Sequence, residues 1–155
     1  MKITLANPKD FREINHLFEA AKSQMIHADI HQWTTTYPNE LIVQNDISDH
    51  QLYKLADQDK IVAVATLDIS GHDEFTLRRI ATDPNYLSNG YASVLLNDII
   101  NRVKEKNGKH IYSSTNHSNL KMQHFFKKHG FEKISEYTEI EREHLGSFYK
   151  YLKKI

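Results

Sequence analysis

Arg79-Ile80-Ala81-Thr82-Asp83-Pro84, followed by Asn85-Tyr86-Leu87-Ser88-Asn89-Gly90-Tyr91-Ala92-Ser93-Val94-Leu95-Leu96, is the stretch on which the reading of this chain turns. Its first part closes an alternating run from Glu74 to Thr82, with Phe75, Leu77, Arg79 and Ala81 on one face, which is the period of a strand. Its last part opens a helix from Gly90 to about Lys106, with Ala92, Leu95, Leu96, Ile99 and Val103 as the buried stripe and Asn107-Gly108 as the C-terminal cap. The polar loop between them sets unpaired backbone N–H groups at a helix N-terminus, where convergent donors and the helix dipole favour a phosphate. Gly90 permits close approach of the backbone, and Ala92 keeps the next turn small. A glycine used only for tight turning is the competing explanation. The Lys-Ser/Thr pair of a P-loop and the three-glycine dinucleotide fingerprint are both absent, which argues against nucleoside triphosphates and nicotinamide cofactors.

Upstream, Ile3 and Leu5 alternate in a short first strand. Asn7 caps a helix with Pro8 at its first position, and Phe11, Ile14, Leu17, Phe18, Ala21 and Met25 carry its apolar stripe to about His27. Ile30 to Pro38 forms a loop or corner, and a short helix is expected from Asn39 to Asp46 on the spacing of Leu41, Ile42 and Asn45. QLYKLAD (51–57) reads as a strand, Gln58-Asp59-Lys60 as a turn, and IVAVATLDI as a central strand covered on both faces. Ser70-Gly71-His72-Asp73 supplies the next turn, so three strands in succession form an antiparallel meander.

Downstream, the pattern runs strand, helix, strand: HIYSST, Ser118 to His129, then FEKISEYTEI, with SFYKYLKKI as a last strand. That strand, with Phe148, Tyr149 and Tyr151, either forms a dimer edge or finishes the core, so a monomer and a homodimer both remain open. No internal repeat or linker interrupts the order, and residues 1–155 read as one α/β domain.

Composition narrows the function classes. The chain has no cysteine, which excludes disulfides, thiolate metal sites and cysteine nucleophiles. Lys plus Arg equals Asp plus Glu, 20 against 20, so no global field exists to hold nucleic acid or a membrane surface. The N-terminus lacks the basic-then-apolar layout of a signal peptide, and no apolar run approaches the ~20 residues of a membrane span, so a cytoplasmic protein is expected. His27 and His31 would share a helix face, but no third ligand accompanies them and no metal site is expected.

The stretch from Arg79 to Leu96 resembles the pyrophosphate-binding motif of the GNAT superfamily of acyl-CoA-dependent N-acetyltransferases. Asn119-Leu120-Lys121-Met122 with Phe125-Phe126-Lys127-Lys128-His129-Gly130-Phe131 resembles that family's helix ending in Gly-Phe, and Trp33 to Tyr37-Pro38 its substrate-side corner. The resemblance implies a mixed, mostly antiparallel sheet of about six to seven strands flanked by about four helices. It implies acetyl-CoA as the acetyl donor and an amine of a small molecule, peptide or protein as acceptor. Ile80 and Thr82, with Ala81 between them, would offer backbone groups to the pantetheine arm; Ser88, Asn89, Gly90, Tyr91, Ala92 and Ser93 would cradle the pyrophosphate; Asn119 would bond the pantetheine or the adenosine end. Two positions depart from the family pattern. Leu87 and Phe126 fall at cofactor-contacting positions of that pattern, but Leu87 stands where a Gln or Arg begins the loop, and Phe126 stands where a Tyr often serves as general acid.

The implied chemistry is direct attack of a neutral amine on the thioester, with the oxyanion held by a strand N–H near Ile80 or Ala81. Glu74, Thr76 and Arg78 share a strand face, which makes Glu74 the candidate base, against the alternative of a solvated edge carboxylate. Arg78 or Arg79 either binds an anionic group of the substrate or pairs with Asp68 or Glu74. Trp33 and Tyr37 either wall the acceptor pocket or serve the core. A non-catalytic acyl-CoA-binding module is the alternative function.

Overall fold

The computed structural model describes residues 1–70 and 74–155, so most of the turn expected at Ser70-Gly71-His72-Asp73 lies outside the described residues. After strand β1 (Lys2–Leu5), Asn7 accepts from the Lys9 N–H at 2.9 Å while Asp10 takes the Asn7 N–H at 2.9 Å. This capping box steers a short 3-10 turn, Pro8–Asp10, into helix α1 (Phe11–His27), which ends at the expected residue. Helix α2 (Glu40–Ser48) starts at an Asn39 cap that accepts from Ile42 N–H at 2.9 Å. Its spacing alone names no face; Val43, Asp46 and Ile47 point inward, and Leu41 is 63% exposed. A buried carboxylate interrupts the apolar period, and its partner is Arg79, a residue of the sheet beneath.

Strands β2 (Leu52–Asp57), β3 (Lys60–Ser70) and β4 (Glu74–Thr82) form the expected antiparallel meander. Gln58 and Asp59, both at positive φ (51° and 65°), make the tight β2–β3 turn that a right-twisted hairpin favours. Helix α3 (Tyr91–Glu105) ends in a Schellman motif: Gly108 N–H reaches Val103 O at 2.9 Å, Asn107 N–H reaches Lys104 O at 2.9 Å, and Asn107 holds the left-handed position at φ 61°. Strand β5 (His110–Asn116), helix α4 (Leu120–Lys128), strand β6 (Glu132–Thr138) and strand β7 (Ser147–Lys154) complete the chain.

The seven-stranded sheet has the order β1-β2-β3-β4-β5-β7-β6, and β4–β5 is its one parallel pair among the described residues. The fold is therefore the mixed, mostly antiparallel α/β architecture expected. One face packs under α3 and α4, where Leu95, Ile99, Val103 and Phe126 meet Leu55, Leu67, Phe75 and Leu77. The other packs under α1 and α2, where Ile14, Phe18, Val43 and Ile47 meet Leu52, Ile61 and Val64. The last strand is not an edge. It inserts between β5 and β6, and Phe148 and Tyr151 are buried, which removes the dimer-edge alternative for it.

Candidate functional site

Strand β4 carries a bulge. Val64 pairs with Ala81 and Thr66 with Arg78, so Arg79 and Ile80 together stand opposite Ala65, and Arg79 holds φ +50°. The single face expected for Phe75, Leu77, Arg79 and Ala81 is therefore split. Phe75 and Leu77 join the α3 layer with Ile80 against it, whereas Ala81 belongs to the α1–α2 layer. Arg78 and Arg79, neighbours in sequence, line the same cavity. Neither binds Glu74: Arg78 Nε meets Asp68 Oδ2 at 3.2 Å, and Arg79 grips Asp46 through Nε–Oδ2 at 2.7 Å and Nη2–Oδ1 at 2.9 Å. Burial acts to lower the Arg79 pKa, but the hydrogen bonds and charge of Asp46 outweigh it and raise the pKa.

Beyond the bulge the sheet opens. β4 and β5 pair only at Glu74–His110, Phe75–Ile111 and Thr76–Tyr112, after which the strands part. Strand peptides alternate their N–H and C=O between the two edges. Asp83 N–H donates to Val62 O on β3 at 2.8 Å, so Ala81 also faces β3, and the backbones of Ile80 and Thr82 face the edge that β5 has left. An apolar slot of about 270 Å³ lies along that edge, lined by Ile80, Ala81, Thr82, Leu87, Ala92 and Asn119. Met25, Ile30, Met122 and Phe125 also line it; none of them is a cofactor candidate in the sequence, where Met25 reads as core stripe, Ile30 as loop, and Met122 and Phe125 only as parts of the helix motif.

At the slot's outer end the loop from Leu87 to Gly90 is exposed, with Ser88 and Gly90 both left-handed at φ 67° and 77°. Asn89 Nδ2 donates to Tyr86 O at 3.0 Å and fixes the loop. Among the described residues, no backbone carbonyl accepts from the N–H groups of Ser88, Asn89 and Gly90. Tyr91 hydroxyl donates to Asp57 Oδ2 at 2.5 Å, which raises the Tyr91 pKa and pins the first turn of α3 to β2. Ser93 Oγ lies 2.9 Å from Nε2 of His129, the C-cap of α4. Asn119 caps α4, accepting from Met122 N–H at 3.1 Å, and its Nδ2 donates to Gln32 Oε1 at 2.8 Å. Phe126 is fully buried among Phe125, Phe131 and Tyr151 and does not line the slot, contrary to the expected cofactor contact; the neighbouring Phe125 does. The helix is rotated so that position 126 faces the sheet, and an apolar ring suits that place.

On the opposite face, a trough runs over β4 and β5. A cavity of about 470 Å³ beside Glu74, Thr76, Tyr112 and Lys150 meets a narrow cleft of about 70 Å³, which opens into one of about 590 Å³ beside Asn39, Glu139 and Arg142. Arg78 lines all three. Glu74 is exposed and stands at the far end of β4, roughly 20 Å along the strand from Ile80 at ~3.3 Å per residue. That separation exceeds the reach of a glutamate side chain, so Glu74 is not placed to take a proton at the bulge. Trp33 is 5% exposed and packs on Phe18 with ring centroids 5.6 Å apart, chiefly a core residue, while touching the narrow cleft. Tyr37 lines the cleft, its hydroxyl accepting from Arg79 Nη1 at 3.2 Å.

Tyr137, Glu139, Arg142 and Lys150 join this wall without having been singled out. The guanidinium of Arg142 lies 4.3 Å from the Tyr37 ring centroid and 4.8 Å from that of Phe148, and 3.6 Å from Glu139. The three-residue spacing of Glu139 and Arg142 was the one available signal. His27 and His31 do not share a helix face: α1 ends at His27, whose Nδ1 lies 2.7 Å from Ser23 O, and His31 meets Asp29 at 3.2 Å. No group of three His, Asp or Glu residues suited to a metal occurs among the described residues. No helix among them is long and apolar enough to cross a membrane.

The family model described as Acetyltransferase (GNAT) family matches residues 12–131. A [ribosomal protein bS18]-alanine N-acetyltransferase of Haemophilus ducreyi is 27% identical over 124 residues, 80% of this chain and 79% of that protein. The ribosomal-protein-S18-alanine N-acetyltransferase of Escherichia coli superposes with a TM-score of 0.79 at 18% identity, over 99% of this chain and 93% of the other. The PaiA N-acetyltransferase of Thermoplasma acidophilum, crystallised with coenzyme A, gives 0.82 at 17% identity, over 99% and 98%.

Proposed function

The chain belongs to the GNAT acetyltransferase family, and on that premise we propose how its residues divide the transfer of an acetyl group from acetyl-CoA to an amine. The observation that carries the assignment is the parting of β4 and β5 beside the apolar slot. The pantetheine arm lies in that slot against the open backbone edge of Ile80 and Thr82, passing Ala81, Leu87 and Asn119. The pyrophosphate rests on the N–H groups of Ser88 to Ser93 at the start of α3, where the helix dipole adds to their pull.

The acetyl carbonyl then points at the bulge, where the outward N–H of Ile80 meets the oxygen as it becomes an oxyanion. The acceptor amine arrives from the trough on the other face. Its nitrogen attacks the carbonyl carbon, the C–S bond breaks, and the sulfur leaves as thiolate, an acceptable leaving group because its pKa is only about 8.5. Phe126 cannot donate a proton, so no acid comes from that position and the sulfur leaves unprotonated, as a thiol pKa of about 8.5 allows. Glu139, at the cleft beside Arg78 and Arg142, replaces Glu74 as the carboxylate placed to receive the amine proton through water.

The acceptor is the amino-terminal amine of a peptide or protein. A trough extending to both sides of a narrow cleft suits an extended chain entering end-on, and an α-amine, with a pKa near ~7.7–8.0 against ~10.4 for lysine, is partly neutral without a strong base. Two of the three named relatives are, by name, alanine N-acetyltransferases of a ribosomal protein, which agrees with this class. Acetyl-CoA supply supports a cytoplasmic setting. The test is mass spectrometry of peptide pairs incubated with acetyl-CoA, one with a free α-amine and one blocked there but carrying lysine. Acetylation confined to the free α-amine supports the reading; acetylation of the lysine alone, or of small polyamines only, overturns the acceptor class.

A further inference from the structure

We propose that Asp46, on a helix that does not line the slot, is a positioning residue that sets the aim of the Ile80 N–H by clamping Arg79. This deepens the proposed function and rests on the bulge being the thioester site. Arg79 is not a glycine, yet it sits at φ +50°, a conformation that an L side chain resists and keeps only when its surroundings over-determine it. What holds it is the two-pronged grip of Asp46 at 2.7 and 2.9 Å, nearly shut off from water: the Arg79 side chain is 13% exposed and that of Asp46 9%. Asp46 is itself fixed by the Thr66 hydroxyl at 2.9 Å, from the strand opposite the bulge. The remaining arm of Arg79 reaches the Tyr37 hydroxyl at 3.2 Å, so the same cation ties the wall of the acceptor trough to the strand that polarises the donor. Ile80 follows Arg79 directly, and a change in the Arg79 backbone rotates its N–H.

The experiment compares the amide resonance of Ile80 with acetyl-CoA bound and with CoA bound, in wild type, in Asp46→Asn and in the double variant Asp46→Asn/Arg79→Met. The wild-type Ile80 amide should shift on adding the acetyl group, as a donor engaged by its carbonyl. Asp46→Asn leaves a buried guanidinium under-paired and is expected to melt earlier; the double variant removes both charges and recovers that stability. Both should still bind CoA in calorimetry yet lose the acetyl-dependent shift at Ile80. A double variant that regains stability and also keeps the wild-type shift overturns the inference, because the pair then serves folding alone. A wild-type Ile80 amide indifferent to the acetyl group overturns instead the thioester assignment on which it rests.

Discussion

The Ser113 hydroxyl donates to the Leu77 carbonyl at 2.8 Å, immediately past the last paired rung between β4 and β5. The bond satisfies a carbonyl that the parting strands would otherwise leave buried and unpaired. Ser113→Ala should therefore destabilise the protein by about 1–3 kcal/mol, the usual cost of orphaning a buried acceptor. Urea denaturation checks this, and an unchanged midpoint would mean that water already serves Leu77.

Leu87 stands half out of the slot at 37% exposure, beside the loop assigned to the pyrophosphate. Leu87→Arg adds a charged donor there. Calorimetry with CoA at low salt should show binding several-fold tighter, about 1 kcal/mol for an exposed pair. The gain should fade as salt is raised. Equal affinity at low salt would place the phosphates elsewhere.

Gly90 holds φ +77°, and a Cβ built on it meets no atom within 4 Å. Gly90→Ala thus isolates backbone strain, about 1–2 kcal/mol. Gly90→Asp adds a carboxylate that repels the pyrophosphate. CoA affinity should fall much further in the aspartate variant than in the alanine variant, and matching losses would remove the charge argument.

Burial first, then the charges of Lys128 and Lys153, lower the His129 pKa below 6.5. The ring also faces Ser93 Oγ at 2.9 Å and the Phe125 ring at 4.7 Å, and Lys153 Nζ donates to its carbonyl at 2.8 Å. The unfolded chain takes up this proton at higher pH than the folded one. Stability present above 6.5 is therefore lost as pH falls from there toward the folded value. His129→Asn should flatten that part of the curve in urea titrations between about pH 7.5 and 5.

Gly108 closes α3 where a Cβ would stand 2.4 Å from Val103 Cγ1 and 2.7 Å from Phe75 Cε2. Gly108→Ala should cost about 1–3 kcal/mol by overpacking, although no positive φ is involved. A thermal melt that does not move would show that Phe75 yields freely.

Much of this architecture was readable in advance because its signals are local: the Asn7 cap, the α3 stripe, the both-sides-apolar β3 and the Asn89-Gly90 junction each announce themselves within a few residues. The illegible parts depend on partners far apart in sequence. Asp46 looks like a polar helix end until Arg79 is seen opposite it, and the spacing of Leu41, Ile42 and Asn45 announces the helix without naming its inward face. The bulge has no glycine to betray it, because an ion pair rather than a missing side chain holds the backbone. Glu74 shares a face with Thr76 and Arg78 as expected, but period-two reasoning supplies a face and not a distance. Phe126 was matched by position within a motif, whereas its surroundings are decided by the packing of α4 on Tyr151.

Because Arg79 and Ile80 together oppose one residue of β3, strand β4 is two segments with opposite side-chain parity, joined at a fixed seam. In the function proposed above, the segment before the seam serves the acceptor and the one after it the donor. Deleting one residue at the seam would leave Ile80 opposite Ala65 and restore an unbroken ladder, with every later residue keeping its partner on β3 and its face, so the bend is lost and the register is not. For recombination between related chains, the seam sets one demand: a splice must carry the extra residue across, because a product without it keeps both layers packed yet loses the bend that parts them.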